Sequence, residues 1–122
     1  MKFTFIESPA FTRYLYKYLS DDEYSTLQNA LMENPDMGVL IQGTGGFRKL
    51  RWRDKRRGKG KRGGLRIIYY HLEEVRQIWL FTLYGKDEAI DLTIEQKRMM
   101  KRAITAEKMA RKKDERKTGY FR

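Results

Sequence analysis

LRIIYYHLEEVRQIWLFTLYG, Leu65 to Gly85, reads as two strands joined by a tight turn. Leu65–Leu72 is dense in isoleucine and tyrosine, the β-branched and aromatic types that suit a pleated surface. Glu73-Glu74 marks the turn, and Arg76–Tyr84 follows. That second run is apolar on both faces, as a central strand should be. Gly85 ends it. Parity on the first strand sets Arg66, Ile68 and Tyr70 on one face and Ile67, Tyr69 and His71 on the other.

Working outward, Phe47–Trp52 predicts a preceding antiparallel strand, entered through the flexible Gln42-Gly43-Thr44-Gly45-Gly46. Phe3–Ile6 predicts a short first strand. Ser8-Pro9 is an N-cap followed by proline at the first helical position. Phe11, Tyr14, Leu15 and Tyr18 then repeat at i, i+3, i+4 and i+7, which buries one face of a helix. Ser20 and Glu23 form a capping box for a second helix striped by Tyr24, Leu27 and Leu31, and Asn34-Pro35 stops it. After Gly85, Thr93 and Gln96 make another capping box, with Met99, Met100, Ala103 and Ile104 as the expected buried side of the last helix. The periodicity decays beyond about Ala110, so residues 1–110 are read as the domain and 111–122 as a flexible basic tail. The fold class is α+β: strand, helical hairpin, three antiparallel strands and a C-terminal helix, with the helices expected on one face of the sheet.

A chain of 122 residues is one domain with enough length for a real core. It has no cysteine, which excludes disulfides, thiolate zinc sites and a cysteine nucleophile. The opening MKFTFIESPAF reaches Glu7 too soon for a signal-peptide apolar region, and the longest apolar run, Ile78–Tyr84, is far short of a membrane helix. The expectation is a soluble cytoplasmic protein.

The net charge of +11 is unevenly spread. Residues 48–66 hold eleven Lys/Arg against one acid, Asp54, a net of +10. Residues 97–122 hold eleven against three, a net of +8, so the remainder is an acidic body. Folding gives no reason for so much like charge beside a strand, because self-repulsion opposes the compact state. An acidic partner does, and nucleic acid is the first to consider. The surface set is Arg48, Lys49, Arg51, Arg53, Lys55, Arg56, Arg57 and Arg62, with Tyr70 offering a ring for base stacking.

The glycines of GTGG and GKGKRGG do not make a phosphate loop, which needs GxxxxGK[ST] between strand and helix. One histidine and scattered carboxylates give no metal-ligand spacing. His71 is the obvious general base by residue type, but parity turns it away from Arg66. Lysine, arginine and tyrosine remain, and that set can cleave RNA. The ribose 2′-hydroxyl attacks its own neighbouring phosphate when held in line, and clustered cations stabilise the charge that develops.

GTGGFRKLRW (Gly43–Trp52), GKGKRGGLRIIYY (Gly58–Tyr70) and the later FTLYGK (Phe81–Lys86) together resemble the RelE superfamily of toxins, most of all its HigB-like members, over about residues 1–105. The resemblance implies a RelE-like fold and a ribosome-dependent mRNA endoribonuclease that inhibits translation and uses no cofactor. It implies as partners a cognate antitoxin with a helix-turn-helix domain, the ribosomal A site and its mRNA, and no membrane. Arg66 matches the arginine that binds the scissile phosphate in RNA-cleaving members, and Lys86 falls where the family puts a second basic residue. The family's lysine pair matches either Lys59 and Lys61 or Lys49 and Arg51. Asp87 stands where better-known members have another arginine, Leu92 lies near their C-terminal tyrosine, and no histidine follows His71, so the acid and base stay unassigned. Two alternatives carry different chemistry: a ParE-like toxin that binds DNA gyrase without cutting RNA, and a non-catalytic RNA-binding module.

Overall fold

The structure, a computed structural model, describes residues 2–54, 64–88 and 92–119, with backbone alone for Asp87 and 111–119. Its elements are β1 (Thr4–Glu7), α1 (Pro9–Tyr18), α2 (Asp21–Glu33), β2 (Val39–Leu40), β3 (Arg48–Trp52), β4 (Leu65–Leu72), β5 (Gln77–Gly85) and α3 (Ile94–Gly119). Short 3₁₀ turns, Glu73–Val75 and Lys86–Glu88, follow β4 and β5.

The helix starts are set locally. Ser8 Oγ accepts from the Phe11 amide at 3.1 Å and donates to the Phe81 carbonyl, so one hydroxyl caps α1 and ties it to β5. Ser20 and Glu23 satisfy each other's amides at 3.2 and 2.9 Å, and Thr93 and Gln96 do the same at 3.1 and 2.9 Å. The first helix buries Phe11, Leu15 and Tyr18, and the second buries Tyr24, Leu27 and Leu31. Tyr14, expected among the buried residues of α1, is 41% exposed.

The strands form one sheet in the order β1-β5-β4-β3-β2, with β1 parallel to β5 and every other pair antiparallel. β4 is central, and all its residues but His71 are buried. One face, carrying Leu50, Trp52, Leu65, Ile67 and Tyr69, packs on α1 and α2. The other, carrying Phe47, Ile68, Tyr70 and Leu72, packs on Met100 and Ile104 of α3. The class and element order stand, but the expectation of helices on one face is corrected. The hairpin covers one face and α3 crosses the other, because β4 is apolar on both sides and burying both removes more surface from water. Met99 and Ala103 are exposed, so the buried stripe of α3 is narrower than its sequence suggested.

β5 holds an irregularity. Ile68 pairs with Thr82 and Tyr69 with Leu80, which leaves Phe81 as the extra residue of a β-bulge. The bulge resets the alternation, so Ile78, Leu80 and Leu83 all reach the hairpin core while Trp79, Phe81 and Tyr84 pack toward α3. The left-handed turn residue is Arg76, at φ 53°. Tyr69 staples the far end of β4 to the loop after α2: its hydroxyl donates to the Pro35 carbonyl at 2.7 Å and accepts from the Gly38 amide at 3.0 Å. Each such bond contributes about 1 kcal/mol.

Candidate nucleic-acid interface

α3 covers only part of its sheet face. Its buried contacts fall on Phe47, Ile68, Tyr70 and Leu72, toward the far end of β4. On the same face at the near end, Arg51, Arg66 and Tyr84 lie in one row across β3, β4 and β5. The next row is Lys49, Ile68 and Thr82. Arg51 and Lys49 are exposed, whereas Arg66 is 8% exposed, with its guanidinium donating to the Leu65 carbonyl at 3.2 Å. Burying a guanidinium this deep is costly unless it is hydrogen-bonded or paired. Asp54, the one acid among residues 48–66, is fully buried and adds no carboxylate to this surface.

Tyr84, at the β5 end of the row, lines a cleft of about 420 Å³. Ile68, Thr82 and Tyr84 line its sheet side, Tyr14, Lys17 and Tyr18 of α1 one wall, and Leu92 and Gln96 at the start of α3 the other. Glu88 also lines it, accepting from the Tyr18 hydroxyl at 2.8 Å with Lys17 Nζ at 3.6 Å. Burial pushes the Tyr18 phenol up from its usual range, and the hydrogen bond to Glu88 pushes it the same way. Lys86 follows Gly85, the partner of Leu65, and its amide donates to the Gly64 carbonyl at 3.0 Å. The exposed Lys86 therefore belongs to the same end of the β4–β5 hairpin as Arg66.

The structure brings Arg66, Arg51, Lys49 and Lys86 to one end of one face. Arg53 is exposed just beyond β3. Arg48 lies on the opposite face with Leu50 and Trp52, donating to the Gly38 and Asp36 carbonyls at 2.7 and 3.1 Å, with Nε 3.5 Å from the Asp36 carboxylate. Tyr70 is 5% exposed under α3, edge-on to Phe47 at 5.3 Å, with Lys108 Nζ 4.8 Å from its ring centre. Lys55, Arg56, Arg57, Lys59, Lys61 and Arg62 lie outside the described residues. His71 is on the face away from Arg66, with Nδ1 3.0 Å from the Asp36 carboxylate and its ring 6.0 Å from Phe3.

Sequence reasoning missed Tyr84, Lys17, Glu88 and Gln96 as cleft residues. Tyr84 pairs with Arg66 only because of the bulge at Phe81, which shifts the register by one. The contact of Tyr18 with Glu88 spans 70 residues and leaves no local mark. Among the described residues no group of three or more His, Asp or Glu could hold a metal ion, and no helix is long and apolar enough to cross a membrane.

No family model matches the chain. Its structure is similar to that of the toxin RelE from E. coli, an arginine-to-alanine double mutant in the free state, at a TM-score of 0.52 and 16% identity, covering 81% of this chain and 96% of that one. It is also similar to the intact E. coli RelBE toxin–antitoxin complex, at a TM-score of 0.49 and 15% identity, covering 72% of this chain and 100% of that one. The first likeness shows the fold: helical hairpin, five-stranded sheet and C-terminal helix are arranged as in RelE.

Proposed function

We propose that this protein is the toxin of a bacterial toxin–antitoxin system, a HigB-like relative of RelE that cuts mRNA in the ribosomal A site of the cytoplasm. The observation that carries the reading is the Arg51–Arg66–Tyr84 row, whose Tyr84 lines a cleft and whose end of the β4–β5 hairpin also carries Lys86. Similarity of fold to the E. coli toxin RelE adds to it.

The reaction follows from the charges. The ribose 2′-oxygen forms a bond to the adjacent phosphorus while the bond to the next nucleotide's 5′-oxygen breaks. The 2′-proton is lost and the departing oxygen gains one, giving a cyclic phosphate and a free 5′-hydroxyl. Arg66 binds the scissile phosphate and stabilises the charge that builds on it, worth about 3–4 kcal/mol for one well-aimed donor. Lys86, with Lys59 and Lys61 of the basic loop, supplies further cations for charge stabilisation and proton transfer. Lys49, Arg51 and Arg53, continued by Lys55, Arg56, Arg57 and Arg62, hold flanking phosphates. DNA, lacking the 2′-hydroxyl, is held without being cut. A cognate antitoxin with a helix-turn-helix domain neutralises the toxin by covering this surface. A plain RNA-binding module would stack bases on an exposed ring of the sheet, and Tyr69 and Tyr70 are both buried.

The test is primer extension on a defined mRNA with purified protein, with and without translating ribosomes, alongside Arg66→Ala. Cuts within codons that need ribosomes and vanish in the variant are expected. Intact mRNA in every lane, with growth arrest intact, overturns the reading and turns attention to gyrase.

A further inference from the structure

Lys86 sits in a three-residue 3₁₀ turn, an element too short to hold its own shape. Long-range hydrogen bonds hold both ends of that turn. At its start the Lys86 amide donates to the Gly64 carbonyl at 3.0 Å. At its end Glu88 Oε2 accepts from the Tyr18 hydroxyl at 2.8 Å. Tyr18 is the last residue of α1, and its side chain is 1% exposed within the hairpin core, so packing fixes where its hydroxyl points. Lys17, next to it, brings Nζ to 3.6 Å from the same carboxylate. The ammonium offsets a negative charge that would otherwise face any phosphate entering the cleft.

We propose that Tyr18 is a positioning residue: through Glu88 it clamps the Lys86–Glu88 turn to α1 and so holds Lys86 at the end of the Arg66 row. Its catalytic consequence rests on the reading of this cleft as the RNA-cleaving site; the clamp itself does not. A buried phenol serves this purpose better than a lysine or arginine would. It donates one directed bond without adding another cation on a flexible stem. Because burial and Glu88 both hold the phenol protonated, it stays a donor across the physiological range. The clamp reaches the site from the core of the opposite sheet face, around the end of β5 that β1 does not cover, since β1 pairs only as far as Leu80.

Amide hydrogen exchange tests the clamp without reference to activity. In Tyr18→Phe, which keeps the ring and its packing, exchange at Lys86 is expected to rise about tenfold, the loss of one charge-assisted bond, while Ile67 and Ile68 of β4 keep their protection. Unchanged exchange at Lys86, or a rise spread evenly over β4, overturns the clamp. Cleavage then tests the consequence. Tyr18→Phe is expected to slow single-turnover cleavage at saturating ribosomes about tenfold, with ribosome affinity within about twofold of wild type. Tyr18→Phe combined with Lys86→Ala should be no slower than Lys86→Ala alone, and Glu88→Gln, which keeps an acceptor, should retain more activity than Glu88→Ala. Independent, multiplying losses overturn the link to Lys86. If the wild-type protein cuts no RNA, the enzyme reading falls, and the exchange result still decides the clamp.

Discussion

Arg51 and Arg66 face each other directly across the β3–β4 ladder, two guanidinium groups on the same side of neighbouring strands. Like charges directly opposite destabilise a sheet by roughly 0.2–1 kcal/mol. Stability and binding should therefore separate at the exposed member. Arg51→Thr is expected to raise the melting temperature by up to about 4 °C. The same change should weaken RNA binding and reduce the slope of log affinity against log salt by about 0.7–0.9. Thermal unfolding and salt-dependent filter binding read the two effects on one variant.

Arg66 should behave differently because it is buried, opposite the cleft-lining Tyr84. Arg66→Ala is expected to lower ribosome-dependent cleavage by about 10²–10³-fold. Arg66→Lys should recover only a small part of that, since an ammonium lacks the planar two-point grip of guanidinium. Single-turnover kinetics on programmed ribosomes, with circular dichroism to verify the fold, would check it.

The seating of α3 can be measured by side. Ile104→Ala is expected to cost about 2–4 kcal/mol, because Ile104 is buried against the sheet. Met99→Ala, although its neighbour Met100 is buried, should stay within about 0.5 kcal/mol, since Met99 is 59% exposed. Denaturant titration of the two variants distinguishes the faces. Equal losses would mean that the helix is rotated from the orientation described.

Gly46 offers a sharper probe of the same contact. Its φ is +124°, and an added Cβ would lie 2.9 Å from the Tyr70 ring. Gly46→Ala combines backbone strain with a clash beneath α3 and should cost about 2–4 kcal/mol. Gly43, also at positive φ, has its nearest neighbour at 3.5 Å, in the Lys97 side chain, so Gly43→Ala should cost only about 1 kcal/mol. Chemical denaturation of the pair checks the difference.

Alkaline unfolding should carry the signature of three tyrosines. Burial first, then the hydrogen bond to Glu7, raises the Tyr24 phenol well above its ordinary value; burial also leads the upward shifts of Tyr18 and Tyr69. A phenol raised on folding contributes stability that is fully present below its unfolded value of about 10 and is lost as pH climbs through the folded one. The protein should therefore lose stability steeply above about pH 10, and Tyr24→Phe should flatten that fall. Melting temperature followed from pH 8 to 11 on both proteins is the measurement.

Local signals were legible and long-range ones were not. The three helix starts could be read because Ser8, Ser20–Glu23 and Thr93–Gln96 satisfy amides within three residues of themselves. The separation of His71 from Arg66 followed from parity along β4 alone. Arg48 was grouped with the nucleic-acid set, although Leu50 and Trp52 mark the buried face of β3 and Arg48 is in phase with them. The bulge at Phe81 was not, because QIWLFTLYG has no polar residue where the alternation slips. β2, at two residues, is too short to show a pattern. The side on which α3 docks was hidden for another reason. Met99 and Met100 are neighbours of equal hydrophobicity, and only the opposing surface of Phe47 and Tyr70 chooses between them.

The parallel pairing of β1 with β5 bears on how the chain is made. Thr4 finds its partner in Gln77 and Glu7 in Leu80, so β1 pairs with a strand synthesised well after it. A nascent chain carrying only β1 and the helical hairpin has no sheet on which to lay Phe11, Leu15, Leu27 and Leu31, and the entropy of closing so long a loop falls due late. Completion of the sheet therefore waits on the emergence of Gly85, and that of the second core on α3 after it. A chain that stalls before that point yields a fragment without a core, in which neither the Arg66 row nor the turn bearing Lys86 has been assembled.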